Sequence, residues 1–219
     1  PRAQPAAGAP LPPGLSYSRG SMGYDAILLA SASARRSQLL GQIGVAHACV
    51  AADIDESEHA GESPADYVRR LARGKAEAVL ARTAAGQSQQ PVLAADTSVV
   101  LGGRIFGKPA DEADCVAMLS ALGGRTHEVL TAIALWCDGR LREAGSTSRV
   151  TFRRIGTEEC RRYWATGEPA GKAGAYAIQG FGAVFVARLE GSYSGVMGLP
   201  LYETAALLDD AGVARWGTR

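Results

Sequence analysis

Asparagine is missing altogether from this 219-residue chain, and lysine occurs only at Lys75, Lys108 and Lys172, against 20 arginines. Together with abundant alanine, this is the pattern of GC-rich coding. An arginine therefore says little about phosphate binding here, whereas a lysine that survives such pressure says more. The four cysteines, Cys49, Cys115, Cys137 and Cys160, form no CxxC pair, and the three histidines are equally scattered, which excludes a structural zinc site. Buried, reduced thiols in a cytosolic chain are expected instead. No long hydrophobic run is present: the longest, Val129–Cys137, is broken by Thr131 and reaches about half of the roughly 18 residues of a spanning helix. A transmembrane protein is excluded. Charge of one sign is also lacking, since 23 basic and 22 acidic residues leave +1. That balance argues against a nucleic-acid polymer or a membrane surface as partner. The 47% apolar and 21% charged content is that of a globular protein rather than a disordered one. There is no internal repeat.

Five of the ten prolines fall in Pro1–Gly23, without apolar periodicity. The segment lacks the basic start and continuous apolar core of a secretory signal, and reads as a disordered N-terminal extension or a tag remnant around Gly20-Ser21-Met22. Residues 24–219 are expected to form a single domain. Ala26–Ala30 reads as a buried strand, Ser33–Ile43 as a helix with Leu39, Leu40 and Ile43 on one face, and Ala46–Ala51 as a second strand. Ser63-Pro64 opens a helix to about Arg82. Val92–Leu101 is a strand carrying Asp96, turned back at Gly102-Gly103 towards Ile105-Phe106. A helix is expected from Asp111 to Leu122, followed by a hairpin of Thr126–Trp136 and Leu141–Arg154 around Asp138-Gly139. Thr157 is expected to cap a short helix, Ala183–Leu189 to form a strand, and Pro200–Ala211 the last helix. Strands and helices interleave without strict βαβ rhythm, which predicts an α/β fold with a mixed sheet.

Three apparent motifs fail on inspection. Gly102–Pro109 nearly spells a phosphate loop, but Pro109 stands where Ser or Thr must bind magnesium, and the glycines suit a hairpin turn. Asp111-Glu112-Ala113-Asp114 is an acidic first helical turn. Gly191–Gly195 has Tyr193 where a nucleophile elbow needs serine.

Four segments remain that are costly for a scaffold. Ser31–Arg36 lies between a strand and a helix, where free backbone N–H groups, hydroxyls and guanidinia suit phosphate oxygens. Alternatively, Ser33 merely caps the helix and both arginines are solvated. Asp53, Asp55 and Glu56 cluster after a strand, as hard oxygen ligands for magnesium or as a solvated acidic loop. Asp96 interrupts an apolar strand, where a carboxylate must be paired, metal-bound or catalytic. Gly171–Gly180 offers close backbone approach and an amide, Gln179, suited to a base edge, unless it is an ordinary loop. Together these point to metal-assisted phosphoryl chemistry on a nucleotide-like ligand.

The segments LLASASARR, DIDE, YVRRLARGKA, AADTSVV, FGKPAD, GGRTHEVLTAIAL, GEPAGKAGAYAIQGFGAVFV and GSYSGVMGLPLYET, in that order, closely resemble the Maf family of nucleoside triphosphate pyrophosphatases. The resemblance runs from Ala26 to the end. It implies a Maf/inosine-triphosphatase-like α/β fold, a mixed twisted sheet with helices on both sides, and two lobes around a deep cleft. It further implies a cytoplasmic enzyme that cleaves a nucleoside triphosphate to the monophosphate and pyrophosphate with magnesium or manganese; a homodimer is left open. The AYAIQG and GSYSGVMGLPL forms are similar to those of the dTTP/UTP-cleaving subgroup. Carried over residue by residue, Asp96 is the catalytic position. Arg35, Thr97 and Gln179 select substrate, Ser33, Arg36, Lys75 and Lys108 bind phosphate, and Glu56 with Asp96 holds the metal. Ala32, Ala34, Gly74 and Gly195 depart from the common pattern. A regulator of septum formation, and a purine or 7-methyl-GTP pyrophosphatase, stand as alternatives.

Overall fold

The computed structural model describes residues 19–20, 23–84 and 90–216. Most of the Pro1–Gly23 segment, and so the expectation attached to it, lies outside the described residues. Arg19–Gly20 (β1) pairs antiparallel with Gly23–Tyr24 (β2). The main sheet has seven strands: β3 (Ala26–Leu29), β4 (Ala46–Cys49), β5 (Val92–Leu101), β6 (Arg104–Phe106), β7 (Thr126–Cys137), β8 (Arg140–Phe152) and β9 (Val186–Glu190). Their order is β4-β3-β5-β7-β8-β9, with β6 hanging off β5. β3 runs parallel to both β4 and β5, and the pairs β5–β7, β7–β8 and β8–β9 are antiparallel. The sheet is mixed, as expected.

The period-2 geometry of its strands explains why helices cover both faces. Ile27, Leu29, Leu93, Ala95, Ile133 and Leu135 feed one core. Their alternates Leu28, Ala30, Val92, Ala94, Ala132 and Ala134 feed the other. The second core is closed by α2 (Pro64–Ala84), which contributes Val68, Ala72, Ala76 and Val79 at helical spacing. The first receives α1 (Ala34–Gln42), α3 (Glu112–Leu122), α4 (Thr157–Trp164), α5 (Tyr193–Met197) and α6 (Leu201–Asp210), through residues such as Leu40, Leu119, Tyr163, Met197 and Leu208. Truncating a fully buried side chain such as Leu135 to alanine would cost about 2–5 kcal/mol.

Local signals set most boundaries. The Ser63 hydroxyl accepts from the Asp66 amide at 3.1 Å and donates to the Asp66 carboxylate at 2.6 Å, fixing the start of α2. Asp111 caps α3 by accepting from Asp114 N at 2.8 Å. Asp138 and Gly139, with φ of 52° and 69°, make the two-residue turn of the β7–β8 hairpin. Three expectations are corrected. The α4 cap is Gly156, not Thr157, because the Gly156 carbonyl already accepts from Cys160 N at 3.0 Å. The strand expected at Ala183 begins only at Val186: Phe181–Phe185 is a 3-10 turn, with Ala183 N donating to Gly180 O rather than to a ladder. Finally, α5 lies in a stretch left unassigned from sequence, held by Ser192 accepting from Gly195 N and ended by Gly198 at φ 112°. The cysteines are free thiols; Cys115, Cys137 and Cys160 are buried as expected, but Cys49 on the edge strand β4 is exposed. Among the described residues, no helix is long and apolar enough to cross a membrane.

One buried histidine gives the fold a pH signature. His127 is 1% exposed, lies edge-on to Phe152 at 4.8 Å, and shares a 2.9 Å hydrogen bond with the Tyr176 hydroxyl. Its Nδ1 has no partner, and burial pushes its pKa down to about 4. Below the unfolded value of about 6.5 the unfolded chain therefore binds a proton that the native state refuses, and stability falls as pH drops towards 4. Between pH 7 and pH 4.5 this group should remove on the order of 2 kcal/mol. Urea titrations of the parent and His127→Gln should show the stability gap closing by about that much at the lower pH. An unchanged gap would mean that His127 takes up its proton as readily in the native state as in the unfolded chain.

Candidate active site

The strands deliver their ends and one interior carboxylate to a single cleft of about 640 Å³. Its walls are the β3–α1 junction, the chain after β4, one face of α2, the middle of β5, the residues after β6, and the 171–179 and 196–198 segments. Asp96 sits mid-strand in β5 on the α2 face, and is 7% exposed. Lys75 reaches it from α2, with Nζ 2.7 Å from Asp96 Oδ1 and 2.6 Å from Glu56 Oε1. Lys108 closes the row, donating to Glu56 Oε2 at 3.1 Å. Charges thus alternate: Asp96, Lys75, Glu56, Lys108. Burial pushes the Asp96 carboxyl above the ordinary aspartate range, against the opposing pull of Lys75 and Arg36. Burial also acts to raise Glu56, but the hydrogen bonds from Lys75 and Lys108 prevail and hold it below its usual value. Asp96 Oδ2 accepts no hydrogen bond from the described residues, so the more basic carboxylate keeps a free oxygen.

On the opposite face of β5 a second network begins. Arg36 donates from Nε to Gly198 O at 2.8 Å, from Nη1 to Ser31 Oγ at 3.3 Å and from Nη2 to Thr97 Oγ1 at 3.2 Å. Thr131 donates to Gly195 O at 2.8 Å, so its 2.9 Å contact with Thr97 must carry the Thr97 proton. The polarity is therefore fixed from Arg36 through Thr97 and Thr131 to a backbone carbonyl. Two of the five Arg36 N–H groups remain for a ligand. Gly195, one of the departures noted above, fits this packing: a Cβ there would stand 2.4 Å from Ser146 Oγ.

The expected site residues largely converge. Ser33, Arg35, Arg36, Glu56, Lys75, Asp96, Thr97, Lys108 and Gln179 all line the cleft. Ser33 occupies the cap position of α1, but its side chain makes no capping bond, so capping does not account for the hydroxyl. Arg35 makes no hydrogen bond or ion pair with the described residues, and burial lowers its pKa. The acidic cluster does not survive as a unit: Glu56 faces the cleft while Asp53 and Asp55 are exposed, because alternate residues of an extended segment point in opposite directions. Among the described residues, no three acidic, histidine or cysteine side chains gather as a metal cage. The sequence reading offered the Ser31 hydroxyl to phosphate and missed Thr131 and Gly198; in the structure all three contribute to orienting Arg36. It gave Lys172 no role, yet all three lysines of the chain line this cleft. Their scarcity was the available signal.

Fold and site together define a mixed α/β protein whose cleft is lined by arginine and lysine cations beside a buried carboxylate. The chain belongs to the Maf family: the model described as "Maf-like protein" matches residues 26–211. Among curated relatives, a protein of Bordetella parapertussis named dTTP/UTP pyrophosphatase is 54% identical over 193 residues, covering 86% of this chain and 93% of its own. Proteins of the same name from Cupriavidus metallidurans and Methylobacillus flagellatus are 53% and 52% identical, covering 85% and 88% of this chain and 97% and 96% of theirs. The solved structure of the Staphylococcus aureus Ham1 protein is a remote likeness, with TM-score 0.41 and 17% identity over 73% of this chain and 79% of that one.

The charge row makes unequal demands on its two lysines. Lys75 is 8% exposed and bridges two carboxylates, so Lys75→Met leaves Asp96 buried without its cation, a change that costs about 3–5 kcal/mol for buried pairs. Lys108 is largely exposed, and such pairs contribute about 0–1 kcal/mol. Thermal and urea unfolding should therefore separate Lys75→Met clearly from Lys108→Ala. Equal effects would contradict the assignment of Lys75 as the keystone of the row.

Proposed function

We propose that the protein hydrolyses nucleoside triphosphates, dTTP and UTP foremost, to the monophosphate and pyrophosphate. The observation that carries this reading is the buried Asp96, whose Oδ2 is free while Lys75 holds Oδ1. A carboxylate among phosphates repels its ligand, which makes it a poor device for binding alone and a good one for accepting a proton. Water attacks the α-phosphorus as Asp96 Oδ2 takes its proton, and the P–O bond to the pyrophosphate breaks. Lys108, Arg36 and the N–H groups at the start of α1 face the charge that builds on the leaving pyrophosphate. Lys75 fixes the Asp96 rotamer and sets which oxygen faces the cleft. Arg35 and Gln179 meet the base and sugar end, and Thr97 orients Arg36 rather than donating to substrate, its proton being committed to Thr131.

Glu56 and Asp96 suit a divalent cation, magnesium or manganese: each retains lone pairs after its lysine contacts, and two carboxylates with substrate phosphates meet the habits of magnesium better than a protein cage would. Such an ion supplies charge neutralisation on the phosphates. The substrate is a free nucleotide of the cytoplasm rather than a nucleic-acid polymer.

Two substitutions test the division of labour. Asp96→Asn keeps the size of the side chain but removes its basicity, so turnover of dTTP should fall by at least about a hundredfold while nucleotide binding survives. Gln179→Ala should blur the preference for thymine and uracil over other bases while the best residual rate stays within about tenfold of the parent. Steady-state kinetics on a panel of nucleoside triphosphates measure both. Turnover by Asp96→Asn within a few-fold of the parent would end the proton-acceptor assignment.

A further inference from the structure

The segment that carries Gln179 is held from behind by two residues that do not themselves line the cleft. Glu168 Oε1 accepts from the Tyr163 hydroxyl at 2.6 Å and from Gly182 N at 2.9 Å, and its Oε2 accepts from Phe181 N at 2.9 Å. The same Tyr163 oxygen accepts from Ala177 N at 3.1 Å. Backbone amides on both sides of Gln179 are thus tied to one tyrosine–glutamate pair. The approach is close enough that a side chain at Gly180 or Gly182 would displace the pair. A Cβ on Gly180 would stand 2.0 Å from Glu168 Oε2, and one on Gly182 would stand 2.7 Å from the Tyr163 hydroxyl. The pair is itself braced: Tyr163 is buried edge-on against Phe185 at 5.0 Å, and Glu168 N donates to Thr166 Oγ1 at 3.2 Å. Burial acts to raise the Glu168 carboxyl, but the bonds from Tyr163, Gly182 and Phe181 prevail and keep it below the ordinary glutamate range, so it stays an acceptor for all three donors. Its charge also acts on Arg35 and Lys172 at the cleft mouth.

We propose that Tyr163 and Glu168 are positioning residues for base recognition, clamping Ala177–Gly182 so that Gln179 is presented to the substrate's base in one fixed geometry. The proposal rests on the reading of Gln179 as the base-facing amide. A fixed amide discriminates because a wrong base leaves its hydrogen-bonding groups unpaired, whereas a mobile one can turn away from the mismatch.

Two measurements on the full chain separate the clamp from the reading it rests on. Glu168→Gln replaces an acceptor of amides by a group that presents one carbonyl and one N–H₂. Tyr163→Phe keeps the ring packing and removes only the hydroxyl. In amide hydrogen exchange, the 177–182 segment should exchange at least about tenfold faster in either variant, with α2 and β5 unchanged. In kinetics, the ratio of kcat/KM for dTTP over CTP should fall by about tenfold, mainly through a higher KM for dTTP, with kcat held within a few-fold. Unchanged exchange and an unchanged ratio in Tyr163→Phe, the variant with intact packing, overturn the proposal. Faster exchange with an unchanged ratio overturns it too, since the clamp would then serve stability alone. A parent enzyme that treats dTTP and CTP alike defeats the underlying reading of Gln179, and does so without reference to either variant.

Discussion

Asp96 lies on a strand whose neighbours are Ala94, Ala95 and Val99, and an isolated carboxylate there would be prohibitively desolvated. The Lys75 ammonium, 2.7 Å away, makes that placement tolerable, and its second bond to Glu56 draws the chain after β4 into the cleft. Everything at the cleft floor follows from this one cation. Lys75 comes from the middle of α2, so the small residues Ala72 and Ala76 on either side of it, which let the helix approach the sheet, also set how far the ammonium reaches. Core packing and site geometry are therefore the same constraint seen from two sides.

The two faces of β5 divide the work. Asp96 points to the α2 face, where charges alternate and burial holds its carboxyl above the ordinary aspartate range. Thr97, the next residue, points to the other face, where it belongs to a directed chain of hydrogen bonds that orients Arg36. A single strand thus supplies both the buried carboxylate and the anchor of the Arg36 guanidinium, and strand alternation gives each its own hydrogen-bond network.

Much of this was legible in the chain. Asp96 declared itself because a charge in an apolar run needs a reason, and the lysines did so because so few remain. Strand and helix positions followed from periodicity, capping serine and aspartate, and the Asp-Gly turn. What escaped notice depends on contacts distant in sequence or on elements too short to show a period. The five-residue helix α5 spans little more than one turn, so no apolar stripe can reveal it. Ala183–Phe185 reads as the start of a strand because Val and Phe favour one, whereas the Glu168 carboxylate captures two amides of the Phe181–Phe185 turn and bends it. Of the two readings of the acidic cluster, the solvated loop holds for Asp53 and Asp55, because an extended backbone turns them away from the side on which Glu56 meets the cleft. Thr131 and Gly198 carry no local signal, since their role is to receive bonds from residues far away in the chain.

The central claim is that water attacks the α-phosphorus with Asp96 as its proton acceptor. Hydrolysis of dTTP in ¹⁸O-labelled water, followed by mass spectrometry of the products, tests this most directly. The account predicts one labelled oxygen in the thymidine monophosphate and none in the pyrophosphate. Label in the pyrophosphate, or labelled free phosphate accompanied by the diphosphate, would contradict it.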